Sequence, residues 1–88
     1  MTKVVHCKKE RYDVYIGRPS IWGNPYIIGR DGTREQVVQQ FREYFRKRDD
    51  LHHQLNSLRG LTLGCWCSPH PCHGDVLVEY LTNPVVMV

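Results

Sequence analysis

Between Thr33 and Phe45 the chain carries both a start signal and a period, and together they allow few structures. Thr33 followed by Gln36 has the form of a capping box, in which the two side chains satisfy the first unpaired amides of a helix. Val37, Val38, Phe41, Tyr44 and Phe45 then recur at helical spacing. The pattern predicts a helix from about Arg34 to Arg48 with one apolar face.

The stretches on either side decide what that helix packs against. "TKVVHC" and "DVYIG" are short, rich in β-branched and aromatic residues, and read as strands that begin a sheet. From Arg18 to Gly32 two prolines and three glycines lie among aromatic and branched residues, the mark of a long ordered loop, with a short strand possible at Tyr26 to Ile28. Asp49 or Asp50 can cap a second helix whose Leu51, Leu55 and Leu58 share a face and which Gly60 can end. "LTLGCWC" reads as a further strand, stopped by Pro69 and Pro71. Val76, Leu77, Tyr80 and Leu81 return to helical spacing until Asn83 and Pro84, and the tail "VVMV" can either add an edge strand or fray. Strand, helix, helix, strand, helix is the order of an α/β fold: one small sandwich with a short, at least partly parallel sheet and about three helices. In such sheets, sites gather beyond the carboxyl ends of strands.

At 88 residues the expectation is a single domain over the whole chain, burying roughly 60% of the surface that it exposes when unfolded. A hydrophobic share of 41% and a charged share of 24% are ordinary for a packed globule. The first residues have the form of no secretory signal, and no apolar run approaches the roughly 20 residues that span a bilayer, so the expected home is the cytosol, with reduced thiols and no membrane. The formal charge of +3 suits an anionic partner without demanding one. Basic residues gather at Lys8, Lys9 and Arg11, and again at Arg42, Arg46, Lys47 and Arg48; the simplest account of such runs is a solvated face.

"GCWCSPHPCHGD", Gly64 to Asp75, holds three of the four cysteines, two of the five histidines and one of the two tryptophans. Three accounts of it stand open. In the first, strand alternation sends Cys65 and Cys67 to one face and Trp66 to the other, Cys72 and His73 return from the proline-bent loop, and three thiolates with one imidazole hold tetrahedral zinc, His70 being a spare nitrogen. The CxC spacing departs from the CxxC knuckles of familiar zinc modules. In the second, Cys72 is a reactive thiolate at a helix start, where unpaired amides and the helix dipole favour negative charge, His73 or His70 is the acid or base, and the same amides with Gly74 admit a substrate phosphate. In the third, the cysteines and Trp66 fill a core, as isolated Cys7 is expected to do. Asp75 falls in the first helical turn, where a carboxylate caps amides or steers His73.

The loop "YIGRPSIWGNPY" brings Arg18, Trp22 and Asn24: a guanidinium that can fork onto phosphate, an indole that can stack on a base and an amide that can read a base edge. The structural alternative has Trp22 plugging the core, Asn24 and Pro25 forming a turn, and Arg18 packing along its stem.

Taken together, "VYIGRP", "WGNP" and "LGCWCSPHPCHGDVL" resemble domain-of-unknown-function family 4326, a family of small α/β domains common in phage and bacterial genomes. The resemblance covers nearly the whole chain and implies a fold and a site location but no reaction. "CHGD" is also similar to the CHR segment of a second α/β family that has a carboxylate where this chain has Cys67, which implies an anionic or acid-base group there. The function expected is an enzyme-like domain that binds a nucleotide or nucleic-acid phosphate between the Arg18 loop and the Cys72 helix start. Cys72, His73 and Asp75 would be its chemical groups, Arg18, Trp22, Asn24 and Gly74 would bind substrate, and Cys65, Cys67, Cys72 and His73 could hold zinc. The alternative is a noncatalytic zinc-stapled module that binds nucleic acid or a protein partner through its basic helix.

Overall fold

The computed structural model describes residues 2–68 and 70–82. Three parallel strands, β1 (Lys3–His6), β2 (Val14–Tyr15) and β3 (Thr62–Cys65), lie in the order β1-β3-β2. β1 and β2 are therefore not neighbours; each pairs with β3, with Val5 opposite Gly64 on one side and Tyr15 opposite Gly64 on the other. Among the described residues the last strand in sequence is the centre of the sheet, and "WCSPHPCHGD" follows its carboxyl end. With three helices around a parallel sheet, the architecture is α/β.

Helix α1 (Arg34–Arg46) starts as its sequence dictates: Thr33 accepts from the Gln36 amide, and the Gln36 side chain accepts in return from the Thr33 amide. Its Val37, Phe41 and Phe45 are buried. α2 (Asp49–Leu55) begins one position earlier than expected, behind Arg48, so Asp49 and Asp50 stand in the first turn, where carboxylates meet the helix dipole, instead of at the cap. A 3-10 turn over Asn56–Leu58 follows, and Gly60, at φ +80°, makes the left-handed turn into β3. α3 (His73–Thr82) starts before the apolar pattern does and takes His73, Gly74 and Asp75 into its first turn. Tyr26 to Ile28 forms no strand; Ile28 makes one isolated bridge with Gly32, because Gly29 and Gly32, both at positive φ, turn the chain back on itself. β3 stops at Cys65, which leaves Trp66 and Cys67 beyond the ladder.

One core joins the layers: Ile16, Trp22, Phe41, Phe45, Leu51, Leu55, Leu58, Leu63, Val76 and Leu77 pack together, with Cys65 and Cys72 in the same cluster. α3 lies close on the sheet because Gly74 has no side chain. A Cβ there would stand 2.8 Å from Ile16 Cδ1 and 3.0 Å from Val4 Cγ2. Among the described residues no helix is long and apolar enough to cross a membrane. The expected stop at Pro69, the helix end at Asn83 and Pro84 and the strand or frayed tail at 85–88 fall outside the described residues.

Candidate functional site

Cys72 is the residue before α3, and its thiol takes the position that serine or threonine holds in a helix cap. The Gly74 amide donates to Cys72 Sγ at 3.3 Å, and the Cys72 amide donates to Asp75 Oδ2 at 3.1 Å. Sulfur stands where a cap hydroxyl would and bonds the second amide of the helix, while Asp75, at the third position, accepts from the cap amide, which assigns Asp75 to the helix start.

Cys65 Sγ, at the end of β3, lies 3.3 Å from Cys72 Sγ. Cys67 hydrogen-bonds to Cys65 in turn. The three thiols differ in acidity. Cys72 is held below the ordinary thiol value, first by the hydrogen bond from Cys65 and then by the Gly74 amide, against the opposing effect of burial. Cys65 is raised: its bond with Cys67 pulls downward, but its bond with Cys72 and burial outweigh that. Cys67 is raised by its bond to Cys65 and by burial, with Arg34 opposing. These directions make Cys72 the most acidic of the three thiols, with Cys65 and Cys67 set behind it as a relay of partners.

His73 does not join the sulfurs. Its Nε2 meets the Ile16 carbonyl oxygen at 2.7 Å, and its ring stands edge-on to Phe41, 5.2 Å between centroids. A carbonyl only accepts, so Nε2 carries the proton and Nδ1 the lone pair. Burial lowers the His73 pKa, and the Arg18 charge lowers it further, so the imidazole is neutral near pH 7. Among the described residues no set of three or more Cys, His, Asp or Glu side chains is disposed to hold a metal ion. His70 is exposed.

A cleft of about 210 Å³ opens where the loop after β2, the start of α1 and the start of α3 meet. Arg18, Arg34, Trp66, Cys67, Cys72 and His73 line it, with Asn24, Tyr26 and Ile28 on the loop side. Of the residues singled out in the sequence, it brings together Arg18, Asn24, Cys67, Cys72 and His73. It leaves out Cys65, Asp75, Gly74 and Trp22.

The reasons are local. Gly74 is buried where α3 presses on Ile16 and Val4, so its closeness serves packing. Trp22 is only 5% exposed and packs on Phe45, 6.4 Å between centroids, which withdraws its ring from any ligand. Asn24 lines the cleft, but its amide is committed: Nδ2 donates to the Val37 carbonyl at 3.0 Å, and Oδ1 accepts from the Tyr26 amide at 3.0 Å. Arg18 ties the loop through Nη1, which donates to the Asn24 carbonyl at 2.9 Å and more weakly to that of Tyr26. Cys7 is half-buried and not part of the core cluster.

Two residues of the cleft escaped the sequence reading. Arg34 is the first residue of α1 and reaches the Pro71 carbonyl at 3.5 Å and the Cys67 thiol. A cation in the first turn of a helix works against the dipole, and that is the signal it carried. Trp66, expected to back onto the core or the far face of a strand, is 55% exposed at the cleft mouth. The basic run at the end of α1 and just beyond it is, by contrast, largely paired: Arg42 with Glu79, Arg46 with Glu43, and Arg48 with Asp50.

The profile of a domain of unknown function, DUF4326, matches residues 2–83. An uncharacterized 12.4 kDa protein from the nrdA-td intergenic region of Enterobacteria phage T4 is 39% identical over 88 residues, which cover 94% of this chain and 80% of that protein. An uncharacterized protein of Acanthamoeba polyphaga mimivirus is 34% identical over 85 residues, which cover 76% of this chain and 65% of that protein. No solved structure matches the chain.

Proposed function

The chain belongs to the DUF4326 family, and we propose that this domain is enzyme-like and binds the phosphate of a nucleotide or nucleic acid in the cleft between the Arg18 loop and the Cys72 helix start. The observation that carries the reading is that two guanidinium groups, Arg18 and Arg34, line one small cleft together with a thiol whose acidity is enhanced. Arginine forks match the oxygens of phosphate, and a half-enclosed cleft strengthens such bonds relative to water. Arg34 also stands against its own helix dipole, a cost of about 0.3–1 kcal/mol that an incoming anion removes.

Cys72 is the nucleophile that lines the cleft, Cys65, behind it, is the partner of its sulfur, and His73 is a neutral base through Nδ1. The Gly74 amide, already spent on the Cys72 sulfur, stabilises the thiolate and leaves the phosphate to the arginines. A volume of about 210 Å³ is below the ~300–1,000 Å³ of pockets that enclose a drug-sized ligand, so the cleft takes in one moiety and the rest of the ligand lies outside. The pairing of Arg42, Arg46 and Arg48 with carboxylates weighs against the alternative in which the helix α1 is the nucleic-acid surface.

Calorimetric titration with inorganic phosphate and pyrophosphate at low ionic strength tests the reading. Binding by the native chain that falls about tenfold or more in Arg34→Gln is expected for a charge-assisted bond. No binding, or binding that Arg34→Gln leaves unchanged, contradicts it.

A further inference from the structure

Trp66 follows the central strand and stands at the mouth of the cleft with 55% of its surface open to solvent. A single exposed apolar ring is ordinary, but this one lines a cleft and is also held still. Its indole N–H donates to the Tyr15 hydroxyl at 2.9 Å, and that hydroxyl donates to the Arg18 carbonyl at 3.1 Å. His6 meets the indole edge-on, at 5.9 Å between centroids, and the His6 ring is itself fixed by the Lys8 amide, which donates to its Nδ1 at 3.1 Å. The Lys8 ammonium sits 5.4 Å from the indole centroid. Tyr15, Arg18, His6 and Lys8 together hold an aromatic surface in one orientation beside two arginines. Ile28, 46% exposed, adds an apolar wall to the same cleft.

We infer that Trp66 is a stacking platform for a nucleobase and that the ligand is the phosphorylated end of a single-stranded nucleic acid, its terminal phosphate between Arg18 and Arg34 and its next phosphate at Lys8. The inference rests on the proposed phosphate site and extends it. A cleft with room for one moiety leaves the base outside, and the first flat apolar surface at its mouth is Trp66. An aromatic ring beside a cation is how sequence-tolerant single-strand sites are built, because every base has a face to stack and every linkage a charge. Lys8 begins the exposed basic run with Lys9 and Arg11, which continues the positive surface away from the cleft.

The test uses the intact chain, tryptophan emission for the native protein, calorimetric titration for the native protein and every variant, and three probes: inorganic phosphate, thymidine 5′-monophosphate and a 5′-phosphorylated oligothymidylate of four residues. Trp66→Ala and Lys8→Gln are compared with the native chain, with circular dichroism to verify folding and Trp66→Phe to restore a ring. The expected result has four parts. The tetranucleotide quenches emission and binds more tightly than the mononucleotide. Trp66→Ala weakens it about 5- to 150-fold, the value of one stacked base, while phosphate binding stays the same. Trp66→Phe recovers part of the loss. Lys8→Gln reduces the salt dependence by about one phosphate contact. Equal tetranucleotide affinity in Trp66→Ala and the native chain overturns the platform, and a mononucleotide that binds as tightly as the tetranucleotide overturns the strand. Failure of inorganic phosphate to bind, with tetranucleotide binding still dependent on Trp66, counts against the phosphate cleft and leaves the platform standing.

Discussion

Cys65 and Cys72 come from different elements, the end of the central strand and the start of α3, and bring their sulfurs to 3.3 Å. Because Cys72 also receives the Gly74 amide, its acidity is raised while that of Cys65 is lowered, so of the two sulfurs Cys72 is the one that favours negative charge. In a chain whose Cys7 is replaced by serine, iodoacetamide modifies Cys72 with an apparent pKa below the ordinary ~8.5, and Cys65→Ala raises it. Cys67, although more exposed, reacts more slowly near pH 7. Peptide mapping of the alkylated sites checks the order, and preferential labelling of Cys67 refutes the relay.

The thiol's two roles separate by substitution. Serine is a strong N-cap, so Cys72→Ser retains the α3 start and the thermal midpoint while abolishing alkylation at 72. Cys72→Ala removes the cap and costs about 0.5–2 kcal/mol. A serine variant as unstable as the alanine variant would show that the sulfur does not cap the helix.

His73 gives the fold an acid limit. Its pKa is lowered by burial and by the Arg18 charge, so between the folded value and the unfolded value of about 6.5 the unfolded chain binds the additional proton. Its contribution is therefore complete above about pH 6.5 and is lost as the pH falls toward the folded pKa, at up to ~1.4 kcal/mol per pH unit. Urea unfolding at pH 7.5 and 5.5 measures this. His73→Gln, whose amide can still donate to the Ile16 carbonyl, flattens the dependence; an equal slope in both proteins assigns it to other groups.

Gly74 is required for the distance between α3 and the sheet. Gly74→Ala places a methyl against Ile16 and Val4, an overpacking worth about 1–3 kcal/mol, and pushes the Cys72 end of the helix outward. The midpoint should fall, and Cys72 should lose its enhanced acidity with it. A variant as stable as the native chain contradicts the close packing.

Trp22 takes the core position that the sequence offered as its alternative, and Trp66 exchanges a core position for an exposed one. Trp22→Ala opens the core beside Phe45 and costs about 3–5 kcal/mol, whereas Trp66→Ala leaves stability nearly unchanged. The reverse order in denaturant unfolding would contradict the assignment.

That exchange shows where the sequence could be read and where it could not. Helix α1 was legible to its cap because Thr33, Gln36 and the apolar period are local signals. The position of the cysteine segment was legible because strand and helix signals placed it beyond a strand's carboxyl end. Which side chains meet there depends on non-local pairing. β3 lies between two strands that precede it by dozens of residues, and it ends at Cys65, so alternation could not say where Trp66 or Cys67 would point. Arg34 reaches the site only because the start of α1 packs next to Pro71 and Cys67, a contact across more than thirty residues that no local pattern records.

The central claim is that one cleft, framed by Arg18, Arg34 and Cys72, receives a phosphate. Amide chemical-shift mapping on ¹⁵N-labelled protein during titration with pyrophosphate tests it most directly. Shifts concentrated at Gly17, Arg18, Arg34, Cys67, Cys72 and His73, saturating together, are the predicted result. Shifts spread over residues 42–48, or none at the cleft, would contradict it.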